Sequence, residues 1–594
     1  MPAEALRSTA ATFSVARSFS GKRWTLRECA DDDACVLERA GDISPFLARL
    51  LAGRGVHSEE LPNILHPTLK QLLPDPSILK DMDKAVVRAR EAIDRNEKIA
   101  VFGDYDVDGS CSSALMSEFF TAIGHPPRIY IPDRMTEGYG PNAPAFLKLK
   151  EGGAELLFTV DCGAVATGPM TAARDAGLDV IVLDHHAVDV RPPTYAQVNP
   201  NQPGDTSGLG YACATGVTFL FLVALNRSLR ESGWYEANGV AEPDLREQLD
   251  LVALATICDV VPLVGVNRAF VRAGLAKLSA MSRPGIKALA EISKVTAPCT
   301  AYHLGFAFGP RINAGGRVGK CSLGVELLTT KDTAQAEELA TLLDLHNRER
   351  QALEKMILEE AMTLASTQSN APVIFVHGDG WHHGVVGIVA GRLKERFNKP
   401  ALVAGFEGGM GRGSARSIPG VDIGAIMRAA YEKGLLESGG GHAMAAGFSL
   451  VAAKLDAFRE FLHARDITAP LDAAIELALD VAISPAGATP ELVEHIERMG
   501  PFGAGNPEPL VLVPDARVVF ADVVGKNHVR LRLAGGDGTR LDAIAFRAAN
   551  QPLGQGVLAA RGRQIHAAGR LKIDEWNGRV RVQLHLEDAA PAGG

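Results

Sequence analysis

The sequence predicts an α/β protein: a parallel-sheet domain and a second α/β domain joined by a long helix, with a small β-barrel after them. Three observations carry that reading. Short apolar runs alternate with helical patterns from Ile99 onward. Residues 333–367 contain neither Gly nor Pro, and the stretch after about residue 470 breaks into strand-like segments.

At 594 residues the chain has room for several domains. Its 46% hydrophobic content and mean hydropathy of +0.05 supply their cores. No run approaches the roughly 18 apolar residues of a membrane helix, so no membrane association is expected. Met1 to Gly21 has two arginines but no apolar signal core, and reads as a flexible extension over 1–22, with a transit peptide as the alternative on composition. The eight cysteines form no C-x-x-C pair, which points to reduced thiols in a cytoplasm and away from zinc or disulfides. A net charge of −9 argues mildly against a nucleic-acid binder. From Asp515 to Asp588, however, twelve Lys/Arg stand against eight Asp/Glu, and this local asymmetry matters more than the sum.

A leading region to about residue 95 reads as helical pieces broken by Pro62, Pro67, Pro74 and Pro76. The apolar run Ile99–Phe102 then opens onto Gly103-Asp104-Tyr105-Asp106-Val107-Asp108-Gly109. If the strand persists, its period of two puts Asp104, Asp106 and Asp108 on one face. Converging carboxylates repel unless a cation sits among them, and hard divalent cations prefer oxygen. An EF-hand is excluded, because its twelfth position falls on Leu115 where a bidentate Glu is required.

A helix is expected near residues 112–123. Leu156–Val160 leads into Asp161-Cys162-Gly163 and a helix near residues 168–176, and Val180–Leu183 leads into Asp184-His185-His186. Parallel sheets bind ligands at the carboxyl ends of their strands. One strand-end acid is an ordinary cap. Three successive ones favour a metal site. Asp259, inside the apolar stretch 249–264, is a further candidate ligand or a helix-end acid meeting backbone or solvent. Gly309 to Arg317 reads as a glycine-rich loop whose Arg311 and Arg317 suit phosphate oxygens, or as a plain turn.

Residues 333–367 form either one helix of about 50 Å or two with a bend near His346-Asn347. A second α/β unit begins at Val373, and His382-His383-Gly384 opens a helix within it. Ser414-x-Arg416 beside a triple-glycine turn at 439–441 offers a phosphate cradle, although glycine runs also serve tight turns. Five strands follow near 518–524, 529–533, 541–546, 564–573 and 579–586, the last two joined by an Asn577-Gly578 hairpin. They suit an oligonucleotide-binding (OB) barrel, or a lid with a solvated basic face. Tyr139 and Trp381 are candidates for stacking on bases, by proximity to the motifs.

Together the motifs resemble the DHH phosphoesterase superfamily, and their order resembles its single-strand-specific exonucleases, from about Trp24 to Leu586. The likeness rests on residues 103–109, Asp161-Cys-Gly, Asp184-His-His and Asp259 in Cys-Asp-Val-Val-Pro. It also rests on Ser414-x-Arg416 and Gly439-Gly-Gly-His442 for the associated DHHA1 domain, and on residues 501–509 entering an OB domain. Departures are small: Cys111 where Thr is common, Ala164 where Ile is common, and Gly315 in place of Ala. The resemblance implies a DHH catalytic domain over 23–330, a connecting helix over 331–368, DHHA1 over 369–468 and an OB domain over 469–594.

It further implies phosphodiester hydrolysis with two Mn²⁺ or Mg²⁺ ions, and a mixed carboxylate and imidazole shell leans toward manganese. The implied metal ligands are Asp106, Asp108, Asp161, His185 and Asp259, with Asp104 nearby. Asp184 would hold the His185 ring, and His186 would act on the scissile phosphate or leaving group. Arg134, Ser414 and Arg416 would hold a terminal 5′-phosphate; Arg311 or Arg317, and His442, would contact the backbone near the cut. The expected activity is 5′ to 3′ degradation of single-stranded DNA to 5′-mononucleotides in recombination and repair. Expected partners are single-stranded DNA, single-strand binding protein and a helicase, with the protein a cytoplasmic monomer. The alternatives are a hydrolase of nanoRNA or cyclic dinucleotides, which has no need of a basic β-domain, and a silent DNA-binding scaffold, which has no need of the acids.

Overall fold

The computed structural model describes residues 13–133, 137, 138, 140–465, 476–576 and 579–592, without the side chains of 575, 576 and 579. It divides into two compact units. One comprises Asp75–Asp259 and Gly274–Asp472, the other Met1–Pro74, Val260–Ala273 and Ala473–Gly594. The region leading up to Pro74 therefore groups with the C-terminal barrel, whereas the sequence placed it with the catalytic sheet.

The first unit holds a five-stranded, wholly parallel sheet of β1 (Ile99–Gly103), β2 (Arg128–Tyr130), β3 (Leu156–Val160), β4 (Asp179–Leu183) and β5 (Ala196–Val198), in the order β2-β1-β3-β4-β5. Buried side chains fill both faces, as a parallel sheet requires. Phe102 meets Phe146 edge-on at 5.3 Å, and Phe158 lies between Phe120 and Phe221. The helices that matter for the site are α1 (Val107–Ala122), α2 (Thr167–Asp175), α3 (Ala214–Glu231) and α4 (Leu249–Cys258). Helices α1 and α3 are buried along most of their length and α4 along nearly all of it. An apolar run of that kind carries no amphipathic signature.

Gly309 to Val318 is a helix, α5, and not a loop. Its glycines are there for packing. A Cβ on Gly316 would fall 2.6 Å from the Tyr105 ring, and one on Gly315 would press on Leu343 at 3.2 Å. Close approach to neighbours thus outweighs the low helix propensity of glycine. Thr333–Ser366 is a single helix, α6, of 34 residues, so the unbent alternative holds.

Beyond α6 lies a mixed sheet of β6 (Ile374–Asp379), β7 (Ala401–Glu407), β8 (Met410–Arg416), β9 (Ser438–His442) and β10 (Ala445–Val451), in the order β9-β10-β8-β7-β6. Only β6 and β7 pair in parallel. Helix α7 (His383–Phe397) packs on one face together with α6. The expected triple-glycine turn is strand β9.

The second unit contains β11 (Val511–Val524), β12 (His528–Ala534), β13 (Arg540–Ala545), β14 (Gln564–Trp576) and β15 (Arg579–Pro591). They pair in the order β11-β12-β13-β15-β14, and β11 pairs again with β14 to close a barrel. All five expected strands are present; the hairpin residues Asn577 and Gly578 lie outside the described residues. Buried Trp24 donates its indole N–H to Asp588 at 3.0 Å, tying the leading region to the barrel.

Candidate active site

Sheet register builds the site. Gly103 lies opposite Val160, Val160 opposite Leu183, and Leu183 opposite Val198, so β1, β3, β4 and β5 stop level with one another. The next residues are Asp104, Asp161, Asp184 and Asn199. The ladder extends one step further into the acids. Asp104 N–H donates to Val160 O at 3.3 Å, Asp161 N–H to Leu183 O at 3.0 Å, and Asp184 N–H to Val198 O at 3.2 Å.

Asp106 and Asp108 join this row by another route than strand alternation. The strand ends at Gly103, Asp106 caps α1 by accepting the Gly109 N–H at 3.1 Å, and Asp108 stands in the first helical turn. The turn is tight enough that a Cβ on Gly109 would lie 2.3 Å from Asp104 O. Asn313 on α5 accepts the Val107 N–H at 3.1 Å. Asp108 faces the start of α3, where its carboxylate accepts the Ala214 N–H at 2.7 Å and the Thr215 N–H at 2.8 Å. Asp259 arrives at the C-terminal cap of α4.

Three overlapping sets of donor atoms result, each lying within 4.8 Å of one another: Asp104, Asp106 and Asp161; Asp108, His185 and Asp259; and Asp161, His185 and His186. His185 Nε2 faces Asp259 Oδ2 at 3.5 Å, Asp161 Oδ1 at 3.6 Å and Asp108 Oδ2 at 3.8 Å. All six acids and imidazoles expected as ligands are therefore gathered, and His186, expected only as a catalytic group, joins them. Asp161 sits in the left-handed region at φ 59°.

Electrostatics agree with a cation-binding role. Burial pushes the Asp161 carboxyl well above its ordinary range, and repulsion from Asp108, Asp106, Asp104 and Asp184 adds to it. Burial, then the charges of Asp108 and Asp106, push Asp259 up to about 8. Burial raises Asp108 as well. Asp259 Oδ2 is buried with no hydrogen-bond partner among the described residues. A buried carboxylate oxygen without a hydrogen-bond donor, among converging acids and beside imidazole, fits Mn²⁺ or Mg²⁺.

Asp184 serves a different ring from the one expected. Its Oδ1 lies 2.7 Å from Nδ1 of His186, not His185, and it accepts the backbone N–H groups of His185 at 2.7 Å and His186 at 3.2 Å. Its Oδ2 accepts the Ala164 N–H at 3.0 Å. Burial opposes the ionised form, but these donors win and hold Asp184 at about 2. Burial likewise opposes the His186 cation, and Asp184 overrides it to raise the imidazole to about 9.

Sequence reasoning missed the residues that hold this dipeptide in place. Asn199 donates to His186 O at 2.9 Å, and Asn201 donates to His185 O at 2.6 Å. The signal was available: Asn199 follows a fourth strand in the same way that the acids follow the other three.

Arg311 donates from Nε to the buried Asp344 of α6 at 2.9 Å and from Nη1 to Ala307 O at 2.7 Å. Arg317 Nη1 donates to Gly384 O at the start of α7 at 3.0 Å. One turn along α7, a Cβ on Gly387 would meet Ser414 Oγ at 3.1 Å and Arg416 Nη2 at 3.2 Å. Arg416 and His442 both pair with Ala445, and Ser414 and Gly440 both pair with Gly447, so these residues share one face of the sheet. A Cβ on Gly440 or Gly447 would meet nothing within 4 Å, which leaves an open floor beside Ser414, in the row next to the one that holds Arg416, Ala445 and His442. The Arg416 guanidinium donates to Ser414 Oγ at 2.8 Å and Ala415 O at 2.9 Å. Burial lowers its pKa.

Trp381 cannot stack on bases. It is buried, with its indole N–H on Glu360 at 2.8 Å. Arg134 and Tyr139 lie outside the described residues. No described helix is long and apolar enough to cross a membrane.

Carboxylates and imidazoles at the carboxyl edge of a parallel sheet, with a second α/β domain following, define a phosphoesterase of the DHH class. The model of the DHH family, N-terminal domain, matches residues 98–256, and that of the DHHA1 domain matches residues 370–465. A third model, the RecJ OB domain, matches residues 479–588. The chain belongs to the RecJ family. It is 36% identical over 575 residues to the single-stranded-DNA-specific exonuclease RecJ of Dickeya dadantii, covering 93% of this chain and 97% of the relative. The crystal structure of RecJ from Thermus thermophilus in complex with Mn²⁺ aligns with a TM-score of 0.78 at 30% identity, over 96% of this chain and 80% of that one. The Mg²⁺ complex of the same protein aligns at 0.74 and 28% identity, over 96% and 79%.

Proposed function

We propose that this chain is a metal-dependent exonuclease specific for single-stranded DNA, degrading it 5′ to 3′ to 5′-mononucleotides in recombination and repair. The observation that carries the reading is the level ending of β1, β3 and β4, which gathers Asp104, Asp161 and Asp184 beside Asp106, Asp108, His185 and Asp259. Relatives that share almost the whole chain are named single-stranded-DNA-specific exonucleases.

In this reading Asp104, Asp106, Asp108, Asp161, His185 and Asp259 hold Mn²⁺ or Mg²⁺. When bound, the ions supply Lewis acidity to the phosphodiester and lower the pKa of water. His186, whose ring is fixed by Asp184, faces the phosphate or the leaving group as a hydrogen-bond donor. Arg416, Ser414 and His442 bind a terminal phosphate beside the glycine floor, where the half-buried guanidinium meets only neutral oxygens among the described residues. Arg317 contacts the strand near the cut, while Arg311 braces α5 against α6. The barrel, with twelve Lys/Arg against eight Asp/Glu from Asp515 to Asp588, tracks the strand. The working division is DHH domain, connecting helix, DHHA1 and OB domain at the boundaries read from the sequence, except that the region up to Pro74 goes with the OB domain. A cytoplasmic monomer meeting single-strand binding protein and a helicase completes the proposal.

The test is a 3′-labelled, 5′-phosphorylated single strand with Mn²⁺, beside a blunt duplex and a dinucleotide. Progressive shortening from the 5′ end with the duplex spared is expected. Consumption of the dinucleotide alone would move the assignment to small-substrate hydrolysis.

A further inference from the structure

Tyr302 and Phe306 are the two most exposed aromatic side chains among the described residues, at 67% and 71%. Their rings stack on each other with centroids 4.9 Å apart and 25° from parallel. A stacked aromatic pair left in water adds little to folding and marks a contact surface.

The two residues stand four apart on a helical stretch made of Ala301–His303, a π turn over Leu304–Phe308, and α5. π turns are rare and recur at functional sites. The end of α4 is packed against this one. Cys258 Sγ donates to Leu304 O at 3.4 Å, and a Cβ on Gly309 would lie 2.4 Å from the same sulfur. Cys258 is the last residue of α4 and Asp259 is its cap. The aromatic pair is thus anchored to the segment that delivers Asp259 to the acid cluster, and the same helical stretch runs on to Arg317.

We propose that Tyr302 and Phe306 form a base-stacking step that seats a single strand of nucleic acid beside the Asp259 side of the cluster. The proposal rests on the exonuclease reading above. Nucleobases are the occupants that fit: each ring has an outer face to extend the stack, and stacking tolerates any base. A duplex hides its base faces, so the step engages only an unpaired strand. The backbone would then pass to Arg317 and the acids, with the bases held to one side.

The experiment compares the wild type with the double variant Tyr302→Ser, Phe306→Ser. Binding of a 5′-phosphorylated oligonucleotide, and of its abasic counterpart, is measured by fluorescence anisotropy in metal-free buffer. Hydrolysis of bis-p-nitrophenyl phosphate with Mn²⁺, a substrate without a base, is followed in parallel. The expected result is a roughly tenfold weaker Kd for the normal strand. The abasic strand and the small phosphodiester are expected to behave as in the wild type, and Tyr302→Trp with Phe306→Trp should restore binding. Equal affinity of wild type and double variant for the normal strand overturns the step, as does an equal loss on the abasic strand. If the wild type cuts no single strand, the exonuclease reading falls, while the two Kd values still decide the step.

Discussion

Nδ1 of His186 lies 2.7 Å from Oδ1 of Asp184, and the two groups pull each other's proton affinities in opposite directions, to about 9 and about 2. The carboxylate itself is locked by the N–H groups of Ala164, His185 and His186, so the imidazole inherits a fixed orientation.

The pair has a defined pH window in the metal-free protein. His186, raised when folded, contributes stability that is full below its ordinary value of 6.5 and is lost as pH climbs through about 9. Asp184, depressed when folded, contributes above 3.8, and that contribution fades as pH falls through about 2. Titration followed by imidazole NMR should place His186 near 9, and Asp184→Asn should bring it back toward the ordinary histidine range. An unmoved titration in the variant would assign the shift elsewhere.

Asp161→Asn should reduce Mn²⁺-dependent cleavage by about a thousandfold or more while strand binding persists. Asparagine tolerates the positive φ at this position better than alanine does, so the loss reports the charge and not the backbone. Because Asp161, Asp108 and Asp259 are all raised, the metal-free wild type binds extra protons when folded and should melt higher at about pH 6 than at about pH 9. Mn²⁺ should stabilise it more at the higher pH, and Asp161→Asn should lose much of that gain. Thermal melts with and without Mn²⁺ decide both points.

Gly109→Ala forces a methyl group to within 2.3 Å of Asp104 O. The clash is with backbone, which has little freedom at a strand end, so a loss of about 3 kcal/mol is expected in denaturant melts, with activity falling as the carboxylates separate. A neutral outcome would mean that α1 can shift without disturbing Asp104 and Asp106.

Arg416→Ala should raise KM for 5′-phosphorylated strands by roughly tenfold to a hundredfold, and should change KM little for 5′-hydroxyl strands. Arg416→Lys should recover only part of the loss, since a point charge does not reproduce the guanidinium fork. Equal effects on both kinds of strand end would take the terminal phosphate away from this floor.

The three strand-end acids, the helical stretch of α6 (though not that it runs without a bend) and the five barrel strands were legible in the sequence. Each depends on local periodicity or on the end of an apolar run, and these survive folding because backbone hydrogen bonding enforces them. Asp259 was legible as an anomaly, a charge in an apolar helix.

What only the tertiary structure decided concerns partners distant in sequence. The strand-alternation account of Asp104, Asp106 and Asp108 failed because the chain turns into a helix after Asp104, and Gly109 permits the approach that brings the carboxylates together. Gly309–Val318 is a helix whose glycines misled the local reading: they are there because Tyr105 and Leu343 occupy the space that larger side chains would need. Asp184 chose His186 over His185, and Asn199 and Asn201 came to hold both carbonyls, through a sheet register that no local pattern records. The sequence by itself determined which residues stand at the strand ends. Register and close packing, which are properties of pairs of segments, determined which of them meet.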